Sequence, residues 1–240
     1  MKYAIISDIH SNLEALSRAL EEIRKRKADQ IICLGDVVGY GANPSESLRL
    51  VCEAASETVM GNHDQAIEDV PLRDDFSDLA RIAIEWTASV LGQEDKKRIR
   101  DFSRVVIDRK HNVTWTHGSA YEPAAYHYLF CRSDANSSFR VLETDFCFFG
   151  HTHVPSLFST QSEEGRYLTE GVYQLSKGEH YLINPGSVGQ PRDRNPKLSF
   201  AFFDSDHRNL ELVRLDYDNQ KAAQKIRNAG LPAYLADRLL

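Results

Sequence analysis

The chain has 240 residues, of which 42% are hydrophobic, so it can bury a substantial core as one large domain or two small ones. Its formal net charge of -6 argues against sequence-independent tracking along duplex nucleic acid, which needs a basic face to displace counterions. A local cationic site for a small anionic substrate stays open.

The chain opens with a short β-rich run, Tyr3 to Ile6, that suits a buried strand. Ser11-Asn12-Leu13-Glu14 then has the S-x-x-E form of a capping box, and Leu13, Leu16, Leu20 and Ile23 continue at helical spacing. Arg24 to Lys27 close that helix where cations suit its dipole. Gln30 to Leu34 reads as a second strand, stopped by Gly35-Asp36. Asn43-Pro44 reads as an N-cap followed by proline at the first helical position, with Leu48, Val51, Cys52 and Ala55 as the stripe. Thr58 to Met60 is expected as a third strand. Phe76 to Leu91 is expected as a helix with Gly92 as its C-terminal cap.

Beyond Gly92, β signals dominate. Strands are expected at 105–107, 113–116, 146–149, 167–168, 181–183, 198–203 and 210–215, then a helix over 219–228 and a short tail. There is no repeat, low-complexity tract or linker-like shift, so residues 1–240 read as one α/β domain. The cysteines Cys33, Cys52, Cys131 and Cys147 form no C-x-x-C pair, and Cys33 and Cys147 lie in apolar runs where buried free thiols are expected. The first apolar run is too short for a signal-peptide core, and no stretch approaches membrane-spanning length. The expectation is a soluble, reduced, cytoplasmic protein.

Metal-ligand residue types recur where strands stop. Asp8 and His10 follow the first strand in "SDIH", and Asp36 follows the second in "LGD". Asn62, His63 and Asp64 follow the third in "GNHD", His117 follows "VTWT", and His151 and His153 follow "FCFF". Taken alone, each fragment reads as turn chemistry or a solvated histidine. Together they place five of the nine histidines at strand ends, where α/β folds gather ligands.

The ordered set D-x-H, G-D, G-N-H-D, H-G and G-H-T-H resembles the calcineurin-like metallophosphoesterases from Asp8 to His153. The segment "NPGSVGQPRD" (184–193) extends the resemblance to the small bacterial phosphodiesterase-like branch. The resemblance implies a four-layer α/β/β/α sandwich of two mixed sheets with outer helices and a two-metal site at strand ends. It implies Asp36 as the carboxylate shared by two divalent ions. Asp8, His10 and His153 would complete the first ion, and Asn62, His117 and His151 the second. Such donors suit Mn, Fe, Zn, Co or Ni, with Mn taken as the working choice.

The implied reaction is in-line attack on a phosphate ester by a metal-bridging hydroxide, with His63 as general acid and Asp64 orienting it. Arg192 and Arg194 are candidate substrate contacts, because arginine suits bidentate phosphate binding. Tyr121, Tyr126, His127, Tyr128 and Phe130 could stack on a base or simply pack, and residues 119–145 could form a lid. The leading reading is a phosphodiesterase acting on a small phosphate ester or nucleotide. Its rivals are a dinucleoside polyphosphate hydrolase or phosphomonoesterase, and a metal-binding interaction scaffold of the same fold. The oligomeric state is left open.

Overall fold

The computed structural model describes residues 1–240. Two six-stranded mixed sheets face each other. In spatial order the first comprises Glu57–Thr58 (β3), Gln30–Cys33 (β2), Lys2–Ile6 (β1), Leu198–Asp204 (β11), Asn209–Leu215 (β12) and Gly171–Gln174 (β9). The second comprises Val105–Asp108 (β4), Val113–Thr116 (β5), Phe146–Phe148 (β6), Tyr181–Asn184 (β10), Ser156–Ser159 (β7) and Arg166–Tyr167 (β8). β1, β2 and β3 run parallel, as do β5, β6 and β10, so three strand ends of each sheet open in a common sense.

Side-chain alternation sorts the core into layers. Tyr3, Ile5, Ala201 and Phe203 of the first sheet meet Trp115, Phe146, Phe148 and Ile183 of the second. The opposite faces are equally apolar, which is why these strands read as near-continuous hydrophobic runs. Ala4, Ile6, Phe200 and Phe202 pack outward against Leu13–Arg26 (α1), Pro44–Ala54 (α2), Asp78–Val90 (α4) and Gln93–Arg100 (α5). Cys147 and Leu182 pack outward against Arg132–Val141 (α6). Helix, sheet, sheet, helix is the layering the family resemblance implies. The C-terminal helices Asn219–Asn228 (α7) and Ala233–Asp237 (α8) lock onto Ala80 and Ala83 of α4 and onto Tyr40.

Trp115 anchors the inter-sheet core, stacked on Phe148 at 5.1 Å and tilted on Tyr3 at 5.1 Å between ring centres. Trp115→Ala is expected to cost about 3–5 kcal/mol. In a chain this long that lowers Tm by roughly 6–20 °C in a thermal melt.

Local structure departs from expectation at caps and weakly patterned segments. Asn12, not Ser11, caps α1: its Oδ1 accepts from Ala15 N–H, while Ser11 has a left-handed φ of 55°. Asn43 holds the N-cap position of α2, but its side chain is committed to Glu46 and Lys225. The third strand is displaced to Glu57–Thr58, and Asn62–Gln65 forms a one-turn helix (α3). Leu91 ends α4, and Gly92 instead starts α5 as its N-cap with φ -75°. Helix α5 was not expected because Ile99 is its one buried residue, which leaves no apolar stripe. Helix α6 buries small residues, Ala135 and Ser138, and β9 is an edge strand with no fully buried residue. The expected tail contains α8, started after Pro232. All four cysteines are free, with Cys33 and Cys147 buried as expected.

Candidate metal centre

Strain marks the strand ends. Asp8, His10, Asp36, His151 and His153 all have left-handed φ between 48° and 67°. Asp, Asn and His tolerate that region better than most residues, yet such positions cost of order 1–3 kcal/mol each. The turns fold so that side chains converge between the two sheets. Gly61 makes this approach possible, since a Cβ there would overlap Asp36 Oδ1 and stand 2.8 Å from its carboxyl carbon. A Cβ there would also stand 2.3 Å from the Asp36 backbone N, so Gly61→Ala is expected to displace the Asp36 turn together with its carboxylate. Metal content after dialysis should fall sharply while circular dichroism stays native.

The segment 184–190 braces the same turns. Asn184 Nδ2 donates to Gly150 O at 2.6 Å, and Ser187 Oγ and Gly189 N–H both donate to Asp8 O. This ties the "GHTH" turn to the first strand end. His151 N–H donates to the Asp8 carboxylate at 3.1 and 3.2 Å, and His63 N–H donates to Asp36 Oδ1 at 2.9 Å.

The ligand atoms fall into three overlapping groups: Asp8, His10 and His153; His10, Asp36 and His63; and Asp36, His117 and His151. Asp36 Oδ2 lies 3.6 Å from His10 Nε2 and 3.3 Å from His117 Nε2, so it reaches both. His10, His117 and His153 each turn Nδ1 to a backbone carbonyl, of Val38 (3.2 Å), Leu34 (2.7 Å) and Gln190 (2.6 Å). Those carbonyls accept from Nδ1–H, so that in the neutral imidazole each Nε2 keeps a lone pair facing inward.

The residues fit bound cations on three observations. His10 Nε2 and His153 Nε2 face each other at 3.2 Å with both Nδ1 protons already committed. Two lone pairs at that separation need a positive charge between or beside them. Asn62 Oδ1 is buried without a hydrogen-bond partner, a cost that coordination removes. The donors are imidazole, carboxylate and amide oxygen with no thiolate, which suits borderline divalent transition metals.

Electrostatics agree. Burial holds His10, His151 and His153 well below the usual imidazole range, in their ligating neutral form. Burial would raise Asp36, but His117, His63 and His10 together hold it well below the usual carboxylate range. Burial would likewise lower His117, but the Asp36 carboxylate, by charge and hydrogen bond, pushes it up to about 9. Asp8 is raised to about 6, by burial first, against the pull of His117.

The His63 ring packs against Tyr40 (4.5 Å between centres), His10 (4.8 Å) and Phe76 (4.8 Å). Its Nδ1 is buried and unpartnered, and burial lowers its pKa to about 4. The expected Asp64–imidazole contact is not made. Asp64 Oδ1 accepts from Val37 and Val38 N–H, and Oδ2 from Gly61 N–H, so its carboxylate holds two ligand loops together instead. Three backbone donors outcompete one side chain for those oxygens, and the orientation of His63 falls to aromatic packing.

A cleft of about 410 Å³ opens over the centre, lined by Asp36, Asn62, His63, His151, His153 and Arg192. Arg194 does not line it. That side chain is exposed on a neighbouring groove with Val154, Tyr167 and Thr169, because the chain turns at Arg194 with φ 65°. Tyr126 and Tyr128 form one wall, and the Tyr128 ring lies 3.9 Å from that of His151. Tyr121, His127 and Phe130 do not line the cleft. Residues 119–145 therefore supply a wall at 125–128 and helix α6 on the outer face. Reading from the sequence missed Tyr40, Phe76, Gln190 and Arg238. Tyr40, between two glycines and four residues after Asp36, was the one with a visible signal.

The chain is similar to known proteins. A family model described as the calcineurin-like phosphoesterase superfamily domain matches residues 1–208. The chain is 40% identical over 239 residues to the uncharacterized protein MJ0912 of Methanocaldococcus jannaschii, covering 98% of this chain and 96% of that one. Phosphodiesterase YfcE of Escherichia coli K12 is 25% identical over 216 residues, covering 86% of this chain and 89% of that protein. The crystal structure of a metallophosphoesterase from Sphaerobacter thermophilus superposes with a TM-score of 0.89 at 36% identity, over 100% of this chain and 98% of that one.

Proposed function

The chain belongs to the calcineurin-like phosphoesterase superfamily, and from that premise we propose that it is a phosphodiesterase dependent on two divalent ions, with manganese as the working metal. The observation that carries the reading is Asp36, fully committed between two imidazole–carboxylate clusters under an open cleft. Two ions held there would supply the nucleophile at neutral pH and neutralise charge on the phosphoryl oxygens.

The remaining chemistry belongs to the chain's own side chains. His63 lines the cleft beside Asp36 and would donate a proton to the departing ester oxygen. An anionic phosphate beside it would favour the protonated imidazole, since an opposite charge raises the pKa. Asp64 acts through the backbone, fixing the Val37–Val38 and Gly61 turns. Arg192 lines the cleft wall, where it would bind substrate anion away from the departing ester oxygen. Residues 1–240 act as one unit in this reading, since the cleft takes residues from "LGD" to the C-terminal helices.

A nucleoside-bearing substrate is favoured by one feature, the exposed Tyr128 ring stacked on His151 and on Phe130 (5.1 Å, 12° between planes). The presence of all seven ligand residues favours the enzyme over the scaffold reading. No helix is long and apolar enough to cross a membrane. A cytoplasmic site of action belongs to the proposal.

The test is hydrolysis of matched p-nitrophenyl mono- and diesters by metal-stripped protein with and without added manganese. Metal-dependent diester cleavage supports the reading. A preference for the monoester would move the assignment to a phosphomonoesterase, and activity independent of metal would refute it.

A further inference from the structure

Two arginines meet on one neutral oxygen at the cleft. Gln190, buried to 2% exposure, accepts through Oε1 from Arg192 Nη2 at 3.0 Å and from Arg238 Nη1 at 3.4 Å. Its backbone carbonyl also holds His153 Nδ1. Arg192 comes from the loop after β10, and Arg238 from the last turn of α8, far apart in sequence. Their other side-chain partners are hydroxyls, Tyr40 for Arg192 at 3.5 Å and Tyr234 for Arg238 at 3.1 Å. Arg192 Nε is buried with no partner at all.

Neither guanidinium meets a carboxylate, in contrast to Arg26, Arg208 and Arg214, which are paired with Glu211, Asp145 and Asp193. Two guanidinium groups drawn to a single amide oxygen repel each other, and an anion between them would relieve that repulsion. Both line the cleft that holds Asp36, His63 and His153. The Tyr40 ring stands between Arg192 and the metal-side imidazoles. It packs on His10 at 4.7 Å and on His63 at 4.5 Å, with the Arg192 guanidinium 5.8 Å from its centre. Asp75, exposed on the 3-10 turn Pro71–Asp75, is the cleft's other lining carboxylate besides Asp36. It makes no ion pair with either arginine.

We propose that Arg192 and Arg238 form a second anion subsite, one tyrosine ring away from the metal centre. The diester this chain cleaves carries a further phosphate group seated there. The substrate half rests on the phosphodiesterase reading above. A terminal phosphate is the anion that fits, because it brings nearly two charges and three acceptor oxygens to two planar donor forks. Gln190 serves as the positioning residue, aligning both forks while its carbonyl fixes His153.

The test compares thymidine 5′-(p-nitrophenyl phosphate) with the same compound bearing a 3′-phosphate, using manganese-loaded protein. Wild type is expected to favour the 3′-phosphorylated substrate about 10- to 100-fold in kcat/KM, the effect of one or more hydrogen bonds to a charged group, expressed mainly in KM. Arg192→Gln and Arg238→Gln should bring that ratio near one, with Arg238→Lys in between. A wild-type ratio of one or less, or a ratio unmoved in both variants, overturns the substrate assignment. In parallel, metal-stripped protein is titrated calorimetrically with inorganic pyrophosphate. Wild type should bind at least about 10-fold more tightly than Arg238→Gln, and equal affinity overturns the subsite itself. If wild type cleaves neither diester, the phosphodiesterase reading fails and the calorimetric comparison alone decides the subsite.

Discussion

Asp36→Asn is expected to leave a folded protein that no longer retains two ions and no longer hydrolyses diesters. Asparagine is the stringent replacement, because it tolerates the left-handed φ of 52° that Asp36 adopts. What changes is charge and donor sense. The Asp36 carboxylate faces His10 Nε2 and His117 Nε2. An amide would offer those atoms a hydrogen-bond donor in place of a shared anion. Metal affinity should fall by more than the roughly 10- to 100-fold that follows loss of an outer hydrogen bond at a metal site. Counting ions per chain after dialysis checks this directly, and two tightly held ions in the variant would show that Asp36 is not the shared ligand.

His63→Ala should behave differently, keeping both ions and losing turnover. A positioned general acid contributes on the order of 10²–10⁴ in rate, and kcat should drop by that factor on a diester with an alkyl leaving group. On a p-nitrophenyl diester the drop should be much smaller, since that leaving group departs without a proton. Equal losses on the two substrates would assign His63 to structure or metal binding instead. The second outcome has a structural basis to be tested, because His63 also lies in a ligand-sized cluster with His10 and Asp36.

The ligand set was legible because each member sits where an apolar run stops, a pattern that survives without knowledge of pairing. Strand positions 3–6, 113–116 and 198–203 were legible for a related reason, since both of their faces are buried. Helices α5 and α6 were not, because Ile99 alone, or Ala135 and Ser138, make no apolar stripe. Asp64 shows another limit. Its neighbour in sequence is His63, but its partners are backbone N–H groups of Val37 and Val38 on another loop. Gln190 and Arg238 escaped notice because their meeting depends on how α8 docks, and no local pattern encodes it. Arg192 and Arg194 looked equivalent in sequence, and a single left-handed residue sends the second away from the cleft.

The most direct measurement titrates metal-stripped protein with manganese while following bound ions per chain and p-nitrophenyl diester hydrolysis in the same samples. The expected curve has no activity at zero ions and saturates as occupancy reaches two per chain. Activity in the stripped protein, or saturation of binding below two ions with full turnover, would contradict a dinuclear centre built on Asp36.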